Sequence, residues 1–186
     1  MKRFLDFCAA LLGLVLTAPL WLLLALLIRL DSPGPVLFRQ RRVGKNGQEF
    51  VLLKFRSMRT ETPNLSTAEL RVSGLEPYTR VGKWLRKTSL DELPQLWNVL
   101  VGEMSLVGPR PALPSQTELN AAREALGVHA LRPGITGWAQ VNGRDSLTDE
   151  EKVARDAEYL KRQSVGLDLW ILVRTVAAVF SARGNQ

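Results

Sequence analysis

A long apolar run near the N-terminus constrains this chain more than any other feature. From Phe7 to Leu30 nearly every residue is apolar, and the interruptions are Gly13, Thr17, Pro19 and Arg29. The run matches the roughly 20 residues that a membrane-spanning helix requires. It is longer than the apolar part of a typical secretory signal, and no small-residue cleavage site follows it. The sequence therefore predicts a retained membrane segment, residues 1–34, followed by a second domain, residues 35–186.

The charges around this run do not orient it. Basic residues flank both of its ends: Lys2, Arg3, Arg29, Arg39, Arg41 and Arg42. The positive-inside rule therefore gives no clear direction. Pro19 favours a kink at Ala18–Pro19, and the Thr17 hydroxyl could bond to the carbonyl that Pro19 frees. Two topologies fit: a re-entrant helix-break-helix hairpin that returns to the surface it left, or a kinked helix that spans the membrane.

The remaining composition describes a basic chain the size of one domain. It has 186 residues, and 25 Lys and Arg against 18 Asp and Glu give a formal net charge of +7. Nucleic acid, an anionic membrane surface and phosphate-rich small substrates are the partners that suit this balance. Cys8 is the single cysteine, so no internal disulfide is possible and a reducing compartment is permitted.

The second domain is predicted to be α+β and mostly helical. Two short strands, Val36–Phe38 and Glu49–Phe55, flank a hairpin turn at Lys45–Gln48. A polar surface loop is predicted from Ser57 to Pro77. The predicted helices are Tyr78–Arg86, Ser89–Val101, Pro114–Leu126, one from Ser146 or Thr148 to about Gln163, and one from Leu167 to about Ala182. The last helix is too short and too charged for a second span, so it is expected to pack on the core or lie at the membrane interface.

Two adjacent carboxylates, Asp91 and Glu92, open the predicted helix Ser89–Val101. Ser89 and Glu92 have the spacing of a capping box, so a structural role accounts for them. The same position would also hold Asp91 beside free backbone N–H groups, where a phosphate can bind. An aspartate that attacks phosphorus forms an acyl phosphate, and a neighbouring carboxylate can bind a divalent metal. Both interpretations stay open at this level.

Several cations along the rest of the chain lie at positions that suit phosphate binding. Lys54 and Arg56 share one face of a predicted strand. Further cations lie in loops that contain Gly or Pro: Arg110, Arg132 and Arg144. Arginine pairs bidentately with phosphate. A solvated surface charge accounts for any one of these residues, and the rigid backbone around each of them weakens that interpretation. Arg39, Arg41 and Arg42 are interpreted instead as contacts to anionic lipid.

Several other chemistries are disfavoured. His129 is the only histidine, so an imidazole-based metal cluster is unexpected, and no nucleophile elbow or Walker-type loop is present. Three alternatives remain: a membrane-anchored nucleic-acid-binding module, a metal-dependent phosphoesterase, and a scaffold with a decayed site. The cations lie in rigid loops beside a carboxylate pair and not along one helix, which argues against nucleic acid.

Four stretches, taken in order, closely resemble the bacterial sugar transferase family, the monotopic phosphoglycosyl transferases. The stretches are Lys54–Met58, Ser89–Gln95, Met104–Pro111 and Pro133–Arg144. The resemblance covers essentially the whole chain, which looks like the minimal form of the family. The family's membrane break is usually Ser-Pro, whereas this chain has Ala18–Pro19.

The resemblance implies a complete activity. It makes Asp91 the nucleophile that attacks the β-phosphate of a UDP-sugar and releases UMP, with undecaprenyl phosphate as the acceptor in a ping-pong scheme. Glu92 would be its partner, and the two carboxylates would bind Mg²⁺. Phosphate and nucleotide contacts are expected from cations at matching positions: Lys54, Arg56, Arg86, Arg110 and Arg144.

The family also implies a setting, the cytoplasmic face of the bacterial inner membrane, with a re-entrant N-terminal segment. The sugar stays open, with Glu76, Tyr78 and the loop from Ser57 to Pro77 as possible selectors. A homodimer through the apolar face of the last helix is also possible.

Overall fold

A computed structural model of the protein describes residues 1–62, 76–143 and 146–180. Within these ranges the helices are α1 (Lys2–Asp31), α2 (Arg80–Thr88), α3 (Gln95–Val101), α4 (Thr117–Ala125), α5 (Trp138–Val141), α6 (Asp149–Arg162) and α7 (Val165–Phe180). The strands are β1 (Leu37–Val43), β2 (Glu49–Phe55), β3 (Ser105–Val107) and β4 (Gly134–Thr136). The fold is therefore α+β and mostly helical, as the sequence predicts. Residues 63–75 of the predicted surface loop lie outside the described ranges.

The helix α1 is apolar on most of its surface and packs on the rest of the protein along a narrow stripe. Its buried residues are Asp6, Ala10, Leu24 and Ile28, whereas large apolar side chains such as Leu16 and Leu22 are exposed. A soluble core helix would bury its apolar faces. Among the described residues, α1 is the one helix long and apolar enough to cross a membrane. The exposed apolar surface supports association with a membrane.

Both ends of α1 are bonded to the domain that follows it. At the N-terminal end, the Lys2 Nζ lies 2.6 Å from Asp168 Oδ2, and the Asp6 carboxylate accepts from the Ser105 hydroxyl at 2.9 Å. At the C-terminal end, the Asp31 carboxylate accepts from the Val81 N–H at 3.0 Å. The rest of the described protein therefore contacts α1 near both of its ends.

α1 continues through Ala18 and Pro19, so both residues of the predicted break are helical in the structure. The Thr17 hydroxyl was expected to bond to the carbonyl that Pro19 frees, and that expectation is wrong. It donates instead to the Gly13 carbonyl at 2.7 Å, and it accepts from the Trp21 indole N–H at 3.2 Å. A hydroxyl reaches the carbonyl four residues before it, which for Thr17 is Gly13.

The predicted β-hairpin is confirmed and is longer than expected. β1 pairs antiparallel with β2, from Leu37 opposite Phe55 to Val43 opposite Glu49. Asn46 and Gly47 both have positive φ, 55° and 73°, as the tight turn between the strands requires.

The sequence did not predict the second sheet. β3 and β4 pair in parallel, with Ser105 opposite Gly134 and Val107 opposite Thr136. Close backbone contact explains the glycines here, since a Cβ on Gly134 would lie 2.1 Å from the Gly108 nitrogen. The segment that contains β4 therefore holds the loop after β3 in place.

Two core clusters join α1 to the domain. The first contains Ala10 with four residues from β2, α3 and the segment before β3: Phe50, Leu52, Val99 and Met104. The second contains Leu24 and Ile28 with Phe55 and Leu85. A third cluster, Val107 with Tyr159 and Ile171, packs α6 and α7 on β3.

Candidate active site

The two predicted catalytic carboxylates lie on a short 3₁₀ turn, Leu90–Glu92, between α2 and α3. α2 ends at Thr88, and Ser89 then adopts the left-handed conformation with a φ of 58°. Asp91 is 4% exposed. The turn therefore places a charged carboxylate in a largely buried position, an unusual place for an unpaired acid.

The capping box expected from Ser89 and Glu92 does not form. The Ser89 side chain makes no capping hydrogen bond, and the next α-helix begins only at Gln95. The Glu92 carboxylate instead accepts from the Lys54 ammonium at 2.8 Å. The capping-box interpretation of this acidic pair is therefore wrong, and Glu92 instead bonds to a cation on β2.

Glu92 lies between two cations. Its Oε1 is 2.8 Å from Lys54 Nζ and 3.5 Å from an Arg110 guanidinium nitrogen. The Lys54 and Glu92 side chains are each 15% exposed, so water screens this pair only weakly. The structure thus brings together three residues from β2, the catalytic turn and the loop after β3.

The electrostatics of Asp91 follow from its burial. Loss of hydration raises the pKa of the Asp91 carboxyl above its usual range, and the negative charge of Glu92 acts in the same direction. The cations Lys54, Arg86 and Arg110 oppose this shift. Burial also lowers the pKa of Lys54, although Glu92 opposes that change. A desolvated carboxylate surrounded by cations is suited to attack an anionic phosphate.

Arg42 belongs to this cluster although the sequence analysis assigned it to lipid. Its guanidinium donates to the Pro111 carbonyl at 3.1 Å and, through Nε, to the Gln40 amide oxygen at 2.9 Å. Burial and the positive charge of Arg110 lower its pKa to about 10, whereas Glu92 opposes the change. The signal that could have found it is the alternation of β1, which puts Arg42 on the same face as Gln40.

The backbone of Arg110 is held by a buried ion pair. Arg123 on α4 donates to the Arg110 carbonyl at 2.8 Å. The same guanidinium donates twice to Asp156 Oδ2 on α6, at 3.0 and 2.7 Å. Arg123 therefore links the packing of α4 and α6 to the position of a cation at the site.

Arg56 is not brought into the cluster. It is 4% exposed, and its guanidinium donates to the carbonyls of Ser32 at 2.6 Å and Pro33 at 2.7 Å. These oxygens lie at the C-terminal end of α1, where unpaired carbonyls need donors. Gly34 is required beside it, since a Cβ there would lie 2.0 Å from the guanidinium. In this structure Arg56 caps α1.

The structure describes one of the other two predicted phosphate contacts. Arg86 on α2 stacks over the Tyr78 ring, 4.9 Å from its centroid, and its positive charge acts on Asp91. Arg144 lies outside the described residues.

Four of the candidate site residues, Lys54, Arg86, Asp91 and Glu92, are each next to a side chain that packs around α1. Phe55 follows Lys54, and Leu85 precedes Arg86, and both belong to the cluster of Leu24 and Ile28. Leu90 and Leu93, which bracket the acidic pair, pack against the same cluster. α1 is thus one wall of the scaffold that positions the candidate site.

Comparison with known proteins gives a consistent family. The profile described as Bacterial sugar transferase matches residues 1–182. The undecaprenyl-phosphate glucose phosphotransferase of Komagataeibacter xylinus is 47% identical over 186 residues, which cover 94% of this chain and 35% of that protein. The UDP-glucose:undecaprenyl-phosphate glucose-1-phosphate transferase of Caulobacter vibrioides is 45% identical over 189 residues, 97% of this chain and 70% of the relative.

A third relative carries a different sugar in its name. The UDP-N-acetylgalactosamine-undecaprenyl-phosphate N-acetylgalactosaminephosphotransferase of Aeromonas hydrophila is 42% identical, over 100% of this chain and 45% of that protein. The chain thus spans about a third of the Komagataeibacter protein and less than half of the Aeromonas one. The profile match and these identities establish that the chain belongs to the bacterial sugar transferase family.

Proposed function

We propose that this protein transfers a sugar phosphate from a UDP-sugar to undecaprenyl phosphate, through a covalent intermediate on Asp91. The observation that carries the proposal is the buried Asp91 beside Glu92, with Lys54 and Arg110 on the same carboxylate pair. The names of the relatives supply the substrate classes. Transfer from a nucleotide sugar to this lipid is the first membrane step of polysaccharide or glycoprotein assembly.

In the first step, an Asp91 carboxylate oxygen attacks the β-phosphorus of the UDP-sugar. The bond from that phosphorus to the oxygen bridging the two phosphates breaks, and UMP leaves with the electron pair. The product is an acyl phosphate that carries the sugar. Lys54, Arg42 and Arg110 stand where cations would hold the donor's phosphates and stabilise the charge on the leaving group.

In the second step, a phosphate oxygen of undecaprenyl phosphate attacks the same phosphorus. The bond to Asp91 breaks, the carboxylate is regenerated, and undecaprenyl diphosphate sugar leaves. The two substrates use one small site in turn, so a water-soluble donor and a lipid acceptor need not bind together. Glu92 holds Lys54 and Arg110 in place during both steps.

The acidic pair fits Mg²⁺. This ion is usually held by one or two carboxylates together with substrate phosphates and water, and two adjacent carboxylates are what the turn offers. No group of three or more potential ligand residues occurs among the described residues, so the donor's phosphates would complete the set. We assign Asp91 and Glu92 as the residues that hold it. The ion would reduce the repulsion between the carboxylate and the anionic donor.

We further propose that α1 does not cross the bilayer, but enters from the cytoplasmic face and returns to it. If α1 crossed the bilayer, the residues bonded to its two ends would lie on opposite sides of an apolar core about 30 Å thick. Here Lys2 and Asp31, at opposite ends of α1, both bond to the same domain. A bend at Pro19 would let the middle of the helix lie deeper than its ends.

Covalent catalysis is tested by mass spectrometry of the intact protein, with Mg²⁺ and a panel of UDP-sugars but no lipid acceptor. We expect a mass increase of one phosphosugar, which also identifies the sugar. Asp91→Asn should show no adduct. Lys152→Gln, which changes a surface charge outside the site, should show the full adduct.

Two outcomes would contradict the mechanism. UMP release only when undecaprenyl phosphate is added, with no adduct from any donor, would mean direct transfer and reduce Asp91 to a metal ligand. Free sugar phosphate formed without lipid would mean hydrolysis.

The topology is tested with Lys2→Cys and Arg39→Cys, each in a Cys8→Ala background. Neither cysteine should react with an impermeant maleimide added outside intact cells, and both should react after lysis. External labelling of one end alone would mean that α1 spans the membrane.

A further inference from the structure

A second charged cavity lies away from the catalytic turn, beside the N-terminal end of α1. It has a volume of about 190 Å³. Its polar lining includes Lys2, Arg3, Asp6, Lys45, Arg132 and Tyr159. Neither Asp91 nor the cations grouped around it line this cavity. We call it the N-terminal cavity.

The charge of this cavity is strongly positive. Four of its lining residues are cations, and Asp6 is its one lining carboxylate among the described residues. The Asp6 carboxylate is already engaged, because it accepts from the Ser105 hydroxyl at 2.9 Å and the Leu106 N–H at 3.1 Å. These neutral donors hold the Asp6 side chain in place, and the four lining cations outnumber the negative charges of Asp6 and of Asp168, which pairs with Lys2.

Among the described residues, one of the four cations forms an ion pair with a carboxylate. Lys2 pairs with Asp168 at 2.6 Å. Arg3 and Arg132 bond to backbone carbonyls, which fix their positions without neutralising them: Leu100 accepts from Arg3 at 2.7 Å and Gly102 from Arg132 at 2.9 Å. Within the described ranges, no ion pair involves Arg3, Lys45 or Arg132.

The cavity borders the apolar surface of the protein. Phe4, directly after Arg3, is 70% exposed, and the apolar face of α1 continues from there. Asp168, which holds Lys2, is followed on α7 by the exposed apolar residues Leu169 and Trp170. Two apolar helix faces thus begin beside the same cations. In a membrane, the phosphate groups of lipids lie at this border.

We propose that the N-terminal cavity binds the phosphate group of an anionic phospholipid. Its volume is below the roughly 300 Å³ at which pockets for drug-sized ligands begin, so it suits a headgroup and not a nucleotide sugar. Cations held by backbone carbonyls are positioned in advance for a phosphate, which lowers the ordering cost of binding. The bound lipid would fix the depth of the N-terminal end of α1. This inference is independent of the chemistry assigned to Asp91.

The test is native mass spectrometry of the full chain, released from nonionic detergent and titrated with dioctanoyl phosphatidylglycerol. We expect saturable binding of one lipid, which Lys45→Gln weakens about fivefold, as the loss of one cation near a lipid surface implies. Lys45 is exposed, so this variant should fold normally. Arg132→Gln should weaken binding similarly, with its fold checked by the melting temperature. Lys152→Gln, with the same change in net charge, should bind as the wild type does.

Two comparisons identify the source of the phosphate. Dioctanoyl phosphatidylcholine, whose choline cation faces the same positive cavity, should bind more weakly than phosphatidylglycerol. Complete displacement of the lipid by millimolar inorganic phosphate would overturn the lipid assignment in favour of a free anion. Unchanged affinity in both Lys45→Gln and Arg132→Gln would overturn the site itself.

Discussion

Replacing Arg123 by methionine would leave the Asp156 carboxylate buried without its partner. The two side chains are 6% and 1% exposed. Removal of one partner of such a buried pair costs about 3–5 kcal/mol of stability. For a chain of this size each kcal/mol lowers the melting temperature by about 2–4 °C, so we expect a decrease of about 6–20 °C.

The pH dependence of that decrease has a definite sign. Burial raises the pKa of Asp156 in the folded protein, and Arg123 opposes the rise. Without Arg123 the folded-state pKa rises further, so the folded protein binds more protons than the unfolded chain. Stability of the variant therefore increases as the pH falls through that raised pKa. The deficit relative to the wild type should be smaller at pH 5 than at pH 8.

A second substitution separates folding from positioning. In Arg123→Met/Asp156→Leu both charges are gone, and apolar replacement of a buried pair is often neutral or stabilising. The melting temperature should recover, but the Arg110 carbonyl still lacks the donor that it has at 2.8 Å. Since about 1 Å of displacement at a site can cost about 100-fold in rate, we expect transfer to stay about 10- to 100-fold reduced.

Melting is followed by tryptophan fluorescence in detergent, and transfer by UMP release at saturating and limiting UDP-sugar. A double variant with normal melting and normal activity would refute the positioning role of Arg123. A single variant that melts within 2 °C of the wild type would refute the energetic importance of the buried pair, since the stability loss would then be about 1 kcal/mol or less.

Three further changes have defined outcomes. Arg42→Gln should raise KM for the UDP-sugar with little loss of stability, measured by initial rates and melting, whereas an unchanged KM would return Arg42 to a lipid role. The raised pKa of Asp91 means that its ionisation destabilises the fold above that pKa. Asp91→Asn should therefore be inactive yet melt at or above the wild-type temperature at pH 8, with the difference shrinking as the pH falls. Gly82→Ala should destabilise strongly, because a Cβ there would lie 1.9 Å from the Ser57 carbonyl oxygen; in the matched control Gly166→Ala the Cβ meets nothing within 4 Å and should be tolerated.

The residues proposed for the site lie in short motifs that the sequence itself singles out. Lys54, Glu92 and Arg110 lie in three separate motifs, and the structure joins them through one carboxylate. The turn residues also predicted the hairpin, because Asn46–Gly47 has the backbone freedom that a tight turn needs. These features depend on local sequence.

Features that depend on distant partners were missed. The sequence predicts Arg42 to be a lipid contact, and the Pro111 carbonyl and Glu92, which the structure brings near it, are far away in sequence. Arg56 was read as a phosphate ligand because its strand position suits one, whereas the end of α1 uses its donors. The parallel pairing of Ser105 with Gly134 leaves no periodic signal in strands of three residues.

The packing of Leu24 and Ile28 against the neighbours of the site residues has a mechanical consequence. Phe55 adjoins Lys54, and Leu90 adjoins Asp91. A displacement of α1 would therefore move the residues that directly precede or follow Lys54 and Asp91 in the chain. The cost of matching a helix to its bilayer is a fraction of a kcal/mol for each Å of mismatch. If α1 lies in the bilayer and Asp91 is the nucleophile, as proposed, lipid thickness and lateral pressure would act on the distances between Asp91 and its cations. We therefore expect the bilayer to influence the turnover rate, as well as to dissolve the acceptor.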